Sequence, residues 1–240
     1  MRLSISLSLL LLAAARTAAA GPLEDGIAAY NARDFDKAVE LLWPLAEKGN
    51  DPQAQEKIGR LYHRGKGLPK DAAKAAEWYL KAAQQGDAPA AARLGSMYWI
   101  GDGVARDPAQ AATWYALGAA KGNALAQVGI GYMSMQGSGT PIDFKAAAGW
   151  FAKSAEQGDA SAMLALGTLF ELGKGVPQDV VQAYKWYALA TVDDGEYEQE
   201  LFDRASRSRD ELARKITPAQ VEEGEREARQ WKRPLKLSGP

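Results

Sequence analysis

The residues of this chain that could do chemistry are few. It has one histidine, His63, no cysteine, and two near-copies of a glycine loop, Gly65-Lys66-Gly67 and Gly173-Lys174-Gly175. A phosphate-binding loop reads G-x-x-x-x-G-K-[ST]: the amides wrap the anion, the lysine reaches it, and the hydroxyl holds magnesium. In GRLYHRGKGLPKD (59–71) five residues separate Gly59 from Gly65, not four, and Gly67 stands where the hydroxyl belongs. GTLFELGKGVPQD (167–179) fails in the same two ways, with Gly175 at the hydroxyl position. His63 has no G-x-S-x-G elbow to serve, so it reads as a solvated or partner-facing side chain on a helix. One histidine without cysteine leaves a transition metal mostly carboxylate ligands. Asp193-Asp194-Gly195-Glu196 lacks the alternation of a calcium loop and reads as a turn. No catalytic residue, metal site or cofactor site is expected.

Composition narrows the class further. The 240 residues are 47% hydrophobic and 25% charged, with 29 basic against 30 acidic side chains. That balance gives no reason to expect nucleic acid or an acidic membrane surface as partner. The absence of cysteine rules out disulfides, thiolate nucleophiles and lipid attachment through an N-terminal cysteine. Arg2, the apolar run Leu3 to Ala15 and the small residues Ala18-Ala19-Ala20 form a secretory signal pattern cut after Ala20. The run is too short to span ~30 Å of hydrocarbon. Cleavage would leave 27 basic and 30 acidic side chains, a net charge of −3. A periplasmic or secreted protein, not inserted in the membrane, is expected.

The elements that hold the two loops come from their separation, 108 residues, which is three periods of 36. Four units align without a gap at 51–86, 87–122, 123–158 and 159–194. Ile58-Gly59, Leu94-Gly95, Ile130-Gly131 and Leu166-Gly167 recur, as do Asp71, Asp107, Asp143 and Asp179. So do Trp78-Tyr79, Trp114-Tyr115, Trp150-Phe151 and Trp186-Tyr187. Each unit reads as two helices. Ala54, Ile58, Leu61 and Tyr62 share one face of helix A, and Ala75, Trp78, Tyr79, Ala82 and Ala83 one face of helix B. Asp51, Asp87, Asn123 and Asp159 are placed to cap helix A, and Asp71 and its equivalents helix B. Gln110 and Gln182, three residues after their caps, could complete capping boxes. The glycine pair then ends helix A in left-handed backbone. Gly59 and its equivalents sit inside helix A, where glycine costs ~1 kcal/mol against alanine. A bulky neighbour, expected to be the helix B tryptophan, must need the space.

The set A-x-x-x-[LI]-G-x-x-Y-x-x-G-x-G-V-x-x-D-x-x-x-A-x-x-W-[YF]-x-x-A-A-x-x-G, read best in 90–122, resembles the Sel1-like repeat family, relatives of the tetratricopeptide repeat. The resemblance implies an all-α, right-handed α–α superhelix whose helices A line a concave side. Ser134 and Thr140 depart from the pattern, which predicts a distorted third loop. Residues 21–50 read as a shorter tetratricopeptide-like pair turning at Asp34-Phe35-Asp36. Residues 195–233 read as capping helices. Tyr197, Leu201, Ala205, Ser208 and Leu212 form the face of the first, and Thr217-Pro218 with Gln220 opens the second. The tail 234–240 is expected to be loose.

Opposite the core face of helix A lies a stripe the repeat does not dictate. Its members expected to contact a partner are Arg60, His63, Ser96, Trp99, Tyr132, Met135, Thr168 and Glu171. The resemblance turns this stripe towards the groove. It implies a non-catalytic scaffold of the bacterial envelope, binding a protein or peptide, with a monomer expected. Two alternatives follow from the same resemblance. One is a periplasmic regulator of a membrane sensor kinase or of an exopolysaccharide pathway. The other is a penicillin-binding or weakly β-lactam-hydrolysing enzyme, which the absence of S-x-x-K, S-D-N and K-T-G after the signal disfavours.

Overall fold

A computed structural model describes residues 21–192 and 199–232. Among these residues there are twelve α-helices and no strand. The helices are α1 Pro22–Asn31, α2 Phe35–Glu47, α3 Pro52–Arg64, α4 Ala72–Gln84, α5 Ala88–Ile100 and α6 Pro108–Ala120. They continue as α7 Ala124–Gln136, α8 Phe144–Glu156, α9 Ala160–Leu172, α10 Val180–Ala190, α11 Gln199–Ala213 and α12 Pro218–Gln230. From α1 to α11 each helix packs on the next in sequence and each pair stacks on the following one, while α12 packs on α10, so the fold is an all-α superhelical repeat. The calls on the leader 1–20, on Asp193 to Glu196, on Tyr197 and on the tail 234–240 lie outside the described residues.

Short polar caps set the helix starts. Asp51, Asp87, Asn123 and Asp159 each accept the amide of the residue three on, at 2.7 to 3.0 Å. Asp71, Asp107, Asp143 and Asp179 do the same for helix B, at 2.8 to 3.0 Å. A cap of this kind contributes ~1 kcal/mol. The reciprocal glutamine bond of a capping box forms at Thr217/Gln220 on α12. On α10 it does not form, because Gln182 turns its amide to Glu227 Oε2 at 2.6 Å and ties α10 to α12. On α6 Asp107 supplies only its own half of the motif.

The glycine loops are helix endings. Gly65 has φ 64° and Gly67 φ 67°, in the left-handed region. Lys66 N–H donates to Leu61 O at 3.1 Å and Asp71 N–H to Tyr62 O at 3.0 Å. The third loop is not distorted, contrary to expectation. Asp143 N–H donates to Ser134 O at 2.8 Å, and that bond needs only a backbone carbonyl, whatever side chain residue 134 carries. The α1–α2 turn is tighter than expected. Asp34 is the cap of α2, and Phe35 and Asp36 already belong to the helix.

The ring that requires glycine inside helix A is the second aromatic of the pair, not the tryptophan. A Cβ on Gly59 would lie 2.7 Å from Tyr79, one on Gly95 2.8 Å from Tyr115, and one on Gly131 2.7 Å from Phe151. Adjacent helical residues point about 100° apart, so the tryptophan faces elsewhere. Trp78 meets Trp43 of the preceding pair at 5.7 Å, and Trp186 meets Trp231 after α12 at 6.5 Å. Trp114 and Trp150 are only half-buried. At the C-terminal end α11 and α12 both pack on α10, with Gly224 against the Tyr184 ring.

Candidate functional site

The loop amides are spent on helix carbonyls: Gly65 N–H donates to Tyr62 O and Lys66 N–H to Leu61 O. They cannot turn onto a phosphate as a nucleotide loop requires. His63 is not a free side chain. Its Nε2 lies 2.7 Å from Asp102 Oδ2, joining the first unit to the loop of the second. No cluster of three or more candidate metal ligands exists among the described residues. The phenols of Tyr79, Tyr115, Tyr132 and Tyr187 are all pushed up by burial, away from any role as a base near neutral pH.

An open concavity of about 310 Å³ lies between α5 and α7. Trp99, Leu125, Val128, Tyr132 and Gln136 line it, so its wall is mostly apolar. Gly129 lets the Tyr115 ring approach, since a Cβ there would lie 2.5 Å from that ring. The helices α5 and α7 touch directly. The Tyr132 ring is braced edge-on against Phe151 at 5.0 Å. Trp99 is held from the other side by the Arg106 guanidinium, 5.4 Å from its ring, while Arg106 Nε donates to Trp99 O at 3.1 Å.

Of the eight stripe residues, Trp99 and Tyr132 meet at this concavity. The other six are engaged elsewhere. Arg60 lies 3.8 Å from the buried Glu56 carboxylate and 5.1 Å from the centre of the Tyr30 ring. Ser96 accepts the Tyr115 hydroxyl at 2.9 Å. Met135 packs into the C-terminal core. Thr168 donates to Leu164 O at 2.9 Å, and Glu171 takes the Tyr187 hydroxyl at 2.9 Å and Lys215 at 3.3 Å. His63 is paired as described.

Sequence reasoning missed Leu125 and Gly129. Both break the repeat. Leu125 stands where the other units have Gln53, Pro89 and Ser161, and it is 45% exposed. Gly129 stands where they have Lys57, Arg93 and Ala165. An apolar residue at a polar position and a glycine outside the shared glycine positions were the available signals.

Known proteins supply the remaining evidence. The Sel1 repeat profile matches residues 52–87, 88–123, 124–159 and 160–191, more than half of the chain. The chain belongs to the Sel1 repeat family. Sel1 repeat proteins are in general non-catalytic protein-interaction scaffolds. The fold is similar to that of a protective antigen from uropathogenic Escherichia coli strains, with 33% identity and a TM-score of 0.72. The alignment covers 81% of this chain and 40% of the antigen, so the chain spans well under half of that protein. A Sel1 repeat protein from Oxalobacter formigenes is 29% identical, with a TM-score of 0.64, and 85% of this chain aligns with 98% of that one. A Klebsiella pneumoniae Sel1 repeat protein, at 20% identity and a TM-score of 0.51, shares the fold. No curated protein matches the sequence significantly. No helix among the described residues is long and apolar enough to cross a membrane.

Proposed function

We propose that this Sel1 repeat protein is an exported interaction scaffold of the bacterial envelope, and that it holds a partner peptide at the Trp99–Tyr132 concavity. The observation that carries this reading is the concavity itself. Two large rings and Leu125 leave an apolar recess of about 310 Å³ open to solvent, and rigid aromatic walls of this kind anchor binding partners. Gln136 at its rim offers both a donor and an acceptor to a peptide backbone. An apolar side chain of the partner would fill the recess. Arg60, His63, Ser96, Met135, Thr168 and Glu171 then flank the path of the peptide along the stripe. Export rests on the signal pattern ending at Ala20.

The test is capture of partners from an envelope extract on the chain starting at Gly21, with and without Trp99→Ala plus Tyr132→Ala. The double variant should lose one or more partners while keeping native helix content and a cooperative urea transition. Retention of every partner would sink the groove assignment. Turnover of a chromogenic β-lactam by the purified protein at a useful rate would overturn the non-catalytic reading.

A further inference from the structure

A second concavity, of about 330 Å³, lies on the loop edge between the first two helix pairs. Its lining is Tyr30, Asn31, Arg33, Phe35, Arg64 and Lys66. Tyr30 and Phe35 meet edge to face at 5.9 Å and form an apolar wall. Around that wall stand three cations and no acid. The cations come from three segments: Arg33 from the α1–α2 turn, Arg64 from the end of α3, and Lys66 from the glycine loop. All three are exposed, and none makes a side-chain hydrogen bond, an ion pair or a ring contact. Elsewhere in the molecule Lys57, Arg93, Lys185 and Lys215 each sit within 3.5 Å of a carboxylate.

The repeat does not require these cations. The positions of Arg64 and Lys66 are filled by Ile100 and Asp102, by Gln136 and Ser138, and by Leu172 and Lys174 in the other units. Arg33 costs the fold something. Its φ is 63°, and it takes the place that Gly65, Gly101, Gly137 and Gly173 take at the ends of the other helices A. Left-handed backbone is unfavourable for a residue with a Cβ, and such outliers concentrate at binding sites. Glycine would fit the turn better than arginine does. The loop bearing Lys66 is also pinned in place, because a Cβ on Gly67 would lie 2.8 Å from the Phe35 carbonyl oxygen.

We propose that this concavity is an oxyanion site that takes the carboxylates of an acidic peptide segment on a partner protein. Arginine and lysine at the ends of long side chains pair with carboxylate through charge-assisted hydrogen bonds. The alternative source of oxyanions is a compact phosphate, which is best held by amides at a helix N-terminus. Here α1 and α3 present their C-terminal ends, whose dipoles repel an anion near the backbone, and the N-terminus of α2 is already capped by the Asp34 carboxylate, which accepts the Lys37 amide at 3.3 Å. The Lys66 amide is already bonded to Leu61 O. Recognition must therefore run through the side chains, and these are spread over a space of about ten water volumes at ~30 Å³ each. A flexible segment carrying several carboxylates fits that spread, with its carbon chain against the half-buried Phe35 ring. The protein as a whole carries a slight negative charge, −1, so its net charge does not draw acidic peptides. The site lies apart from Trp99 and Tyr132, and its test is independent of theirs.

The experiment titrates fluorescein-labelled hexaglutamate into the whole protein at low and physiological salt. Hexaglutamine, inorganic phosphate and pyrophosphate form the other arms. Hexaglutamate should bind, more weakly as salt rises, and hexaglutamine should not. Lys66→Ser and Arg33→Gly should each weaken binding about tenfold, the size of one lost charge-assisted contact. Lys174→Ser, the equivalent loop lysine of the fourth unit, should leave it unchanged. Arg33→Gly should also leave the unfolding midpoint unchanged or raise it, which a merely structural arginine would not do. The proposal is overturned if hexaglutamate fails to bind, if Lys174→Ser weakens it as much as Lys66→Ser, or if pyrophosphate binds in its place. A fall in the midpoint of Arg33→Gly would overturn it too.

Discussion

Two glycine-to-alanine changes, both inside helices, should have opposite signs. Gly149 lies within α8, is exposed, and has no neighbour within 4 Å of where a Cβ would stand. Alanine there gains the ~1 kcal/mol difference in helix propensity and meets nothing. Gly167 lies within α9, and its Cβ would stand 2.7 Å from the Tyr187 ring and 3.1 Å from Ala183 O. Carbon atoms are at rest at ~3.5–4.0 Å, so the ring would have to retreat by about 1 Å. It cannot do so freely, because Tyr187 is 1% exposed and its hydroxyl bonds Thr168 at 3.2 Å and Glu171 at 2.9 Å. Overpacking of this kind costs ~1–3 kcal/mol. Set against the propensity gain of ~1 kcal/mol, Gly167→Ala should lose up to ~2 kcal/mol. Urea unfolding at constant m-value measures both changes. The decisive arm is the cycle with Tyr187→Ala. That change alone should cost ~3–5 kcal/mol, and on its background Gly167→Ala should become stabilising, like Gly149→Ala. If Gly167→Ala stabilises the parent protein, or costs the same without the ring, the packing account of these glycines fails.

Trp186 is 8% exposed and packs on Trp231, whereas Trp114 is half-buried, so Trp186→Ala should lower the urea midpoint more than Trp114→Ala does. The Asp87 carboxyl is raised above its ordinary value, chiefly by burial. A raised folded value means stability is fuller below the unfolded value and is lost as pH rises through the folded one. Asp87→Asn keeps a good cap, so it should be more stable than the parent at neutral pH, and thermal melts should converge as pH falls below about 4. A chain ending at residue 192 exposes the face of α10 that α11 and α12 cover. Hydrogen exchange should then lose protection first in α9 and α10 and keep it in α3 to α6, as a stack with neighbour-only contacts requires. Uniform loss would mean one cooperative unit.

The period of 36 carried most of the fold, because it repeats the signals that end and start helices. A glycine pair and an aspartate recur at fixed offsets, with a proline between them in three of the four units, and each has a local physical meaning that no tertiary contact needs to supply. What the period could not supply was phase between helices. Trp78 and Tyr79 are neighbours in sequence, and both are aromatic, so repetition alone cannot say which ring meets Gly59. That choice depends on the rotation of one helix against another, which packing decides. The same limit hid the partners of Gln182 and His63, since Glu227 and Asp102 belong to other units.

The candidate site shows the complementary rule. Trp99 and Tyr132 were legible because they break the repeat on a stripe that the core does not use. Leu125 and Gly129 break it as well, but on positions that looked unimportant while only one helix was in view. A residue repeated in every unit is explained by the packing of helix A on helix B that every unit shares, as Tyr187 and Gly167 are. A residue that departs from the repeat at some cost to the fold cannot be explained that way. Arg33 in left-handed backbone is the clearest such case among the described residues, since the other four helix ends use glycine at the same place. In a stack of near-identical units, stability is written in what recurs, and specific binding has to be written in the exceptions.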